Sequence, residues 1–158
     1  MAPPTDPHDS PGVHIPPPLF YVAAIGGGAW LRRYAPLTIG GGAARVIAAW
    51  LLVAACAGLL AWSFVWFARQ KTTVIPNRPA RALVLDGPFR FTRNPLYLAL
   101  AFLAIGAGLW LNTWWVLILL LPAIALVDHF VIRREEAYLR RRFGAEYDAY
   151  TARVRRWL

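Results

Sequence analysis

The chain is poor in charge. Only 16% of its 158 residues are Asp, Glu, Lys or Arg, against ~25% in an ordinary soluble domain. Hydrophobic residues make up 58% and the mean hydropathy is +0.44. A globule this small keeps a large surface relative to its volume and cannot hide so many apolar side chains. The composition excludes a soluble enzyme, a coiled coil and a disordered tail, and leaves an all-α integral membrane protein. Cysteine is nearly absent: Cys56, alone inside an apolar run, forms no intrachain disulfide and reads as a small apolar filler. A positive n-region is missing too. The first 18 residues instead carry seven prolines (Pro3, Pro4, Pro7, Pro11, Pro16, Pro17 and Pro18), a disordered or polyproline-like lead-in rather than a signal peptide. Residues 19–158 then form a single membrane-embedded domain.

Acidic residues are scarce as well. Seventeen Lys and Arg stand against eight Asp and Glu, giving a net charge of +9, which would ordinarily raise nucleic acid as a partner. The distribution argues against it. Six cations fall between Arg69 and Arg93 and eight lie from Arg133 onward. Both clusters flank apolar runs, as cytoplasmic loops beside anionic headgroups do, so membrane lipids are the expected partners and no nucleic acid is.

About 20 apolar residues cross the hydrocarbon. Residues 46–68 are 23 residues without a charge, and 19–31 give a short first span of 13. Residues 96–127 are apolar for 32 residues, too long for one crossing, with Asn112-Thr113 near the middle. A helical hairpin is expected, with residues 95–111 rising and 113–132 returning, Gly106 and Gly108 at a close helix contact, and Pro122 inside the returning arm. These make about four transmembrane helices. Loop 69–94 and the tail after Arg133 then share the cytoplasmic side of a multi-pass protein. Trp30, Trp50, Trp110, Trp114 and Trp115 fall at the outer interface, Trp62 and Trp66 at the inner one. Beyond the last span, Ile132, Glu136, Leu139 and Phe143 keep helical spacing and Gly144 is a stop signal. A cytoplasmic amphipathic tail helix follows with Tyr147, Tyr150, Val154 and Trp157 on one face, either lying on the leaflet or covering a site.

Two stretches look chemical. In the first, Asp86-Gly87-Pro88 signals a turn, and Asn94-Pro95 opens a helix with Asn as N-cap and Pro at N1. Arg93 and Tyr97 crowd the same mouth, where unpaired helix N–H groups favour an anion. In the second, Glu135 and Glu136 stand where the returning helix leaves the membrane, near Asp128 and His129. Taken singly, Glu136 pairs with Arg140 at i, i+4. Adjacent residues diverge by ~100° on a helix, so one carboxylate faces inward and the other makes a salt bridge.

Taken in order, Gly87-Pro88-Phe89-Arg90, Arg93-Asn94-Pro95-Leu96-Tyr97, the hairpin, Glu135-Glu136-x-x-Leu139 and Phe143-Gly144-x-Glu146-Tyr147-x-x-Tyr150 resemble the isoprenylcysteine carboxyl methyltransferase family and the related phospholipid methyltransferases. The resemblance runs from Thr72 to the C-terminus. The eukaryotic carboxyl methyltransferases have His where Asn94 stands, while Asn occurs there in bacterial relatives, so the resemblance is to a bacterial-type member and implies a bacterial inner membrane. The resemblance implies an enzyme that moves a methyl group from S-adenosylmethionine to a lipophilic acceptor, leaving S-adenosylhomocysteine. It places the cofactor among Gly87, Pro88, Arg93, Asn94, Pro95, Tyr97, Glu135 and Glu136.

A water-soluble cofactor needs a site open to the cytoplasm, and a greasy acceptor needs lateral entry from the bilayer. Glu135 or Glu136 can accept from the cofactor's amino group. Arg93, the helix start at Asn94–Tyr97 or backbone N–H groups near Gly87 can donate to its carboxylate. Tyr97, Phe89 or Tyr138 can offer a ring face. Arg93 and Arg153 are the candidate catalytic residues, holding a substrate anion. His129 is the only histidine outside the lead-in, and no metal is expected. That favours an acceptor needing no base, such as a prenylcysteine carboxylate; a phospholipid amine or a small thiol would fit the same frame but require proton removal. From another class, a non-catalytic membrane scaffold or permease subunit remains. Transport expects polar groups in mid-span, and residues 46–68 and 96–127 hold only Ser63, Asn112, Thr113 and tryptophan N–H groups.

Overall fold

The structure is a computed structural model describing residues 12, 15–70 and 82–158. The described residues are helical, with no strand among them. Helix α1 covers Pro18–Tyr34 and α2 covers Gly42–Arg69. A 3-10 turn at Gly87–Arg90 leads to α3, Pro95–Trp110. Helix α4, Trp114–Val127, runs through a π-helical turn at Asp128–Ile132 into α5, Arg133–Phe143, and α6 is Ala145–Arg153. The lead-in lies largely outside the described residues; its last residue, Pro18, already belongs to α1 as an N-terminal proline.

Among the described residues, two helices are long and apolar enough to cross a membrane: α2 with 28 residues and the continuous Trp114–Phe143 helix with 30. Helices α1 and α3 are apolar but shorter, at 17 and 16 residues. Little of the apolar length is buried. In α2 only 17% of the hydrophobic window is covered by protein, and Leu51, Ile47, Trp50 and Leu121 are all exposed. Surfaces this apolar match hydrocarbon rather than water.

Helix α2 packs along α3, α1 along α4, and α3 against α4 in the expected hairpin. The contacts run over small residues, which let helix backbones approach when lipid gives no hydrophobic drive to associate. Ala99, Ala101, Ala104, Gly106 and Gly108 are the buried small residues of α3. A Cβ on Gly106 would stand 3.1 Å from the Ala49 carbonyl on α2, and one on Gly108 would collide with Leu117 on α4. The sequence had not marked Gly28, where a Cβ would lie 2.6 Å from the Val116 backbone nitrogen. Backbone cannot swing aside as a side-chain tip can, so Gly28 sets the α1–α4 spacing.

The hairpin turns at Asn112, the single described non-glycine residue with positive φ, at +53°. Thr113 caps α4 by accepting from the Trp115 N–H. Trp30, Trp110, Trp114 and Trp115 gather near this end of the bundle, whereas Trp62 and Trp66 lie beside Phe91 and Gly87 at the other.

One expectation needs correction. The tail helix expected to carry Val154 and Trp157 stops earlier: α6 ends at Arg153 and Val154 is extended (φ −119°, ψ 128°). The last residues therefore cross the bundle end as a strap. The stop at Gly144 stands: its φ of +52° breaks α5 from α6.

Candidate site at the end of the bundle

The segment after the 3-10 turn meets α5 at the end opposite the hairpin turn. Gly87 starts it, with φ +64° and the Trp66 indole where a Cβ would go, so only glycine admits this close approach. Pro88 and Phe89 are buried beside it, and Phe89 meets Phe67 edge-on at 5.2 Å. Pro95 then fixes the first turn of α3, projecting Tyr97 toward α5, where its hydroxyl donates to Glu135 Oε1 at 2.8 Å.

Glu136 points elsewhere, as adjacent helical residues must. It meets Arg93 Nη1 at 3.0 Å and takes a bidentate pair from Arg156, at 3.0 Å from Nε and 2.6 Å from Nη2. This fork geometry suits a carboxylate. Arg156 Nη1 also donates to Asp128 at 3.0 Å, and Asp128 accepts from Arg133 at 3.1 Å. The Glu136–Arg140 pairing does not form; Arg140 binds Asp148 at 2.7 Å.

The strap lies over the same turn. The Arg93 N–H donates to the Arg155 carbonyl at 3.0 Å, and the Arg156 carbonyl accepts from both Thr92 Oγ1 and Asn94 Nδ2, at 3.1 and 3.0 Å. Asn94 occupies the N-cap position without a side-chain cap bond. Its amide is spent on the strap instead, which corrects its expected capping role. Tyr150 on α6 donates to the Phe89 carbonyl at 2.8 Å.

Glu135 lies three residues past Ile132, the last apolar residue of its crossing. Burial pushes its carboxyl from 4.5 up to about 7, opposed by the Tyr97 hydrogen bond and reinforced by neighbouring Glu136. Burial also raises Tyr147 and Tyr150, with Arg93 opposing in both cases. The hydrogen bond to Glu136 raises Arg156 still further.

Of the expected residues, the fold brings Arg93, Asn94, Pro95, Tyr97, Glu135 and Glu136 together, with Gly87 and Pro88 one turn away. Arg153 is not among them: it is exposed and its Nε donates to Ala149 at 3.2 Å. Arg156 stands at the carboxylates instead. Nothing in the sequence singles out Arg156 from its tail neighbours Arg153 and Arg155; the extended strap after α6 is what carries it to the carboxylates. Thr92, buried in the structure, was also missed, though a threonine directly ahead of an Arg-Asn-Pro start was a usable sequence signal.

A protein of Haemophilus influenzae described as uncharacterized is 38% identical to the chain over 63 residues, covering 40% of this chain and all of that protein. No solved structure matches the chain. The phospholipid methyltransferase family matches residues 44–146, which contain α2 from its third residue on, the hairpin, Glu135 and Glu136. The chain belongs to this family, which includes the isoprenylcysteine carboxyl methyltransferases, and family membership makes it a membrane methyltransferase for lipid-like substrates.

Proposed function

We propose that the protein is an S-adenosylmethionine-dependent methyltransferase whose acceptor is a lipophilic carboxylate such as a prenylcysteine. The observation that carries the reading is the meeting of two distant segments, Arg93–Tyr97 and Glu135–Glu136, through the Tyr97–Glu135 and Arg93–Glu136 contacts. The donor set suits this cofactor. A carboxylate in a half-buried site takes an ammonium, and arginine beside a helix start takes a carboxylate. Arg93 Nε is buried without a partner among the described residues, leaving it a donor to give.

Glu135 and Tyr97 would hold the cofactor's amino group, Arg93 and the α3 start its carboxylate, and Gly87-Pro88 the wall beside it. When bound, S-adenosylmethionine supplies an electrophilic methyl carbon on a cationic sulfur. The chain's task is then to orient the acceptor in line and exclude water, which is worth ~7–11 kcal/mol for well-placed reactants. A carboxylate acceptor is already ionised at neutral pH. His129, its ring 4.8 Å from Phe130, is not required as a base. The acceptor's tail would remain in the bilayer, with the site on the cytoplasmic face of a bacterial inner membrane.

The family's description favours one second reading, a phospholipid amine as acceptor. Incubating membranes with methyl-labelled cofactor and identifying the extracted product tests both. A base-labile methyl ester supports the carboxylate, a labelled headgroup amine supports the phospholipid, and no product dependent on this protein contradicts the enzyme.

A further inference from the structure

Tyr21 has no place in the site as described so far, yet it sits beside it. It lies near the N-terminus of α1, ahead of the residues matched by the family. Helix α1 ends at the hairpin turn, so its start lies at the end that carries the carboxylates. Tyr21 is 1% exposed and belongs to the buried cluster that contains Tyr97, Val131 and Ile132. The Tyr21 hydroxyl is buried with no hydrogen-bond partner among the described residues.

A buried hydroxyl left without a partner destabilises the fold. Phenylalanine would fill the same space without that cost. An unsatisfied polar atom retained beside a ligand site has a ready physical explanation: the partner arrives with the ligand. The neighbouring Tyr97 donates its proton to Glu135 and keeps lone pairs to accept. An ammonium carries three N–H donors and no acceptor. A carboxylate and two phenol oxygens can take all three.

We propose that Tyr21 is a ligand-binding residue whose hydroxyl accepts a hydrogen bond from the ammonium of an amino-acid-bearing ligand seated at Glu135. The inference rests on the cofactor reading above and adds to it a contact from the first helix.

The test pairs two readouts on the full chain in detergent, thermal unfolding without ligand and calorimetric titration with S-adenosylhomocysteine, for wild type and Tyr21→Phe. The expected result has opposite signs: the variant unfolds at the same or a higher temperature, yet binds about tenfold more weakly, the equivalent of 1.4 kcal/mol. The loss should vanish with 5′-methylthioadenosine, which lacks the ammonium. Equal S-adenosylhomocysteine affinities overturn the inference and leave the cofactor reading intact. A less stable variant shows that the hydroxyl is already satisfied and also overturns it. An equal loss with 5′-methylthioadenosine assigns the effect to packing and does the same. Folded wild type that binds no S-adenosylhomocysteine overturns the cofactor reading, and this inference with it.

Discussion

The two ends of the helix bundle are closed by different chemistry. At the hairpin end the closures go to backbone groups: Asn112 Oδ1 accepts from the Ile39 and Gly40 N–H groups at 3.1 and 2.9 Å, Trp115 Nε1 donates to the Ala35 carbonyl at 2.6 Å, and Arg45 donates to the Leu109 and Trp110 carbonyls. These bonds satisfy chain ends that the bilayer would otherwise leave unpaired. At the other end the strap and α6 are also tied to backbone carbonyls by Arg93, Thr92, Asn94 and Tyr150, but there side chains in addition meet side chains, with Glu135, Glu136 and Asp128 against Tyr97, Arg93, Arg156 and Arg133. Backbone closure fixes a fold. A half-buried cluster of ionisable groups does more than a turn requires, and such clusters mark functional sites.

The sharpest way to break this contrast is substitution at each end. Glu135→Ala is expected to cut methyl transfer by at least about 100-fold, near 2.7 kcal/mol of barrier, while Asn112→Ala leaves it within about twofold. Equal losses in the labelled-methyl assay would erase the distinction.

The contrast should also appear in pH. Glu135 titrates near 7 in the folded protein, above its ordinary 4.5. Its neutral form is thus favoured by folding, and stability is lost as pH rises from about 4.5 through 7. An ammonium ligand needs the ionised form, so affinity should fall about tenfold per unit below pH 7 and level off above it. Titrations of Glu135→Gln should show neither trend. Persistence of both in that variant would move the titrating group elsewhere.

Stability measurements sharpen the comparison further. Arg156→Ala releases Glu136 and Asp128 together and should cost about 1.5–3 kcal/mol, the range for hydrogen bonds to charged groups. Asn112→Ala removes one acceptor from two N–H donors at a left-handed position and should cost about 1–2 kcal/mol, with Asn112→Gly relieving the backbone part. Arg153→Ala, on an exposed side chain, should change stability by less than about 0.5 kcal/mol. Denaturation in detergent ranks all of these, and an Arg153 effect matching that of Arg156 would contradict the strap geometry.

Much of the charged end was legible because charges stand out against apolar runs. The hairpin followed from a polar pair in a 32-residue apolar stretch, and the divergence of Glu135 from Glu136 from helical angle alone. What periodicity hides is whatever is not helical or not charged. The strap is extended, so nothing in its spacing set Arg156 apart from Arg153. Asn94 looked like a cap because the strap that takes its amide is 62 residues away. Tyr21 reads as one more aromatic in an apolar run, and only its burial beside Tyr97 sets it apart.

The central claim is that two segments distant in sequence share one ligand. Photocrosslinking with a photoactivatable cofactor analogue, followed by peptide mapping, tests it most directly. The account predicts that label falls both within residues 87–97 and within residues 133–157, and that unlabelled S-adenosylhomocysteine competes it away at both. Label confined to one segment, or insensitive to competitor, would contradict it.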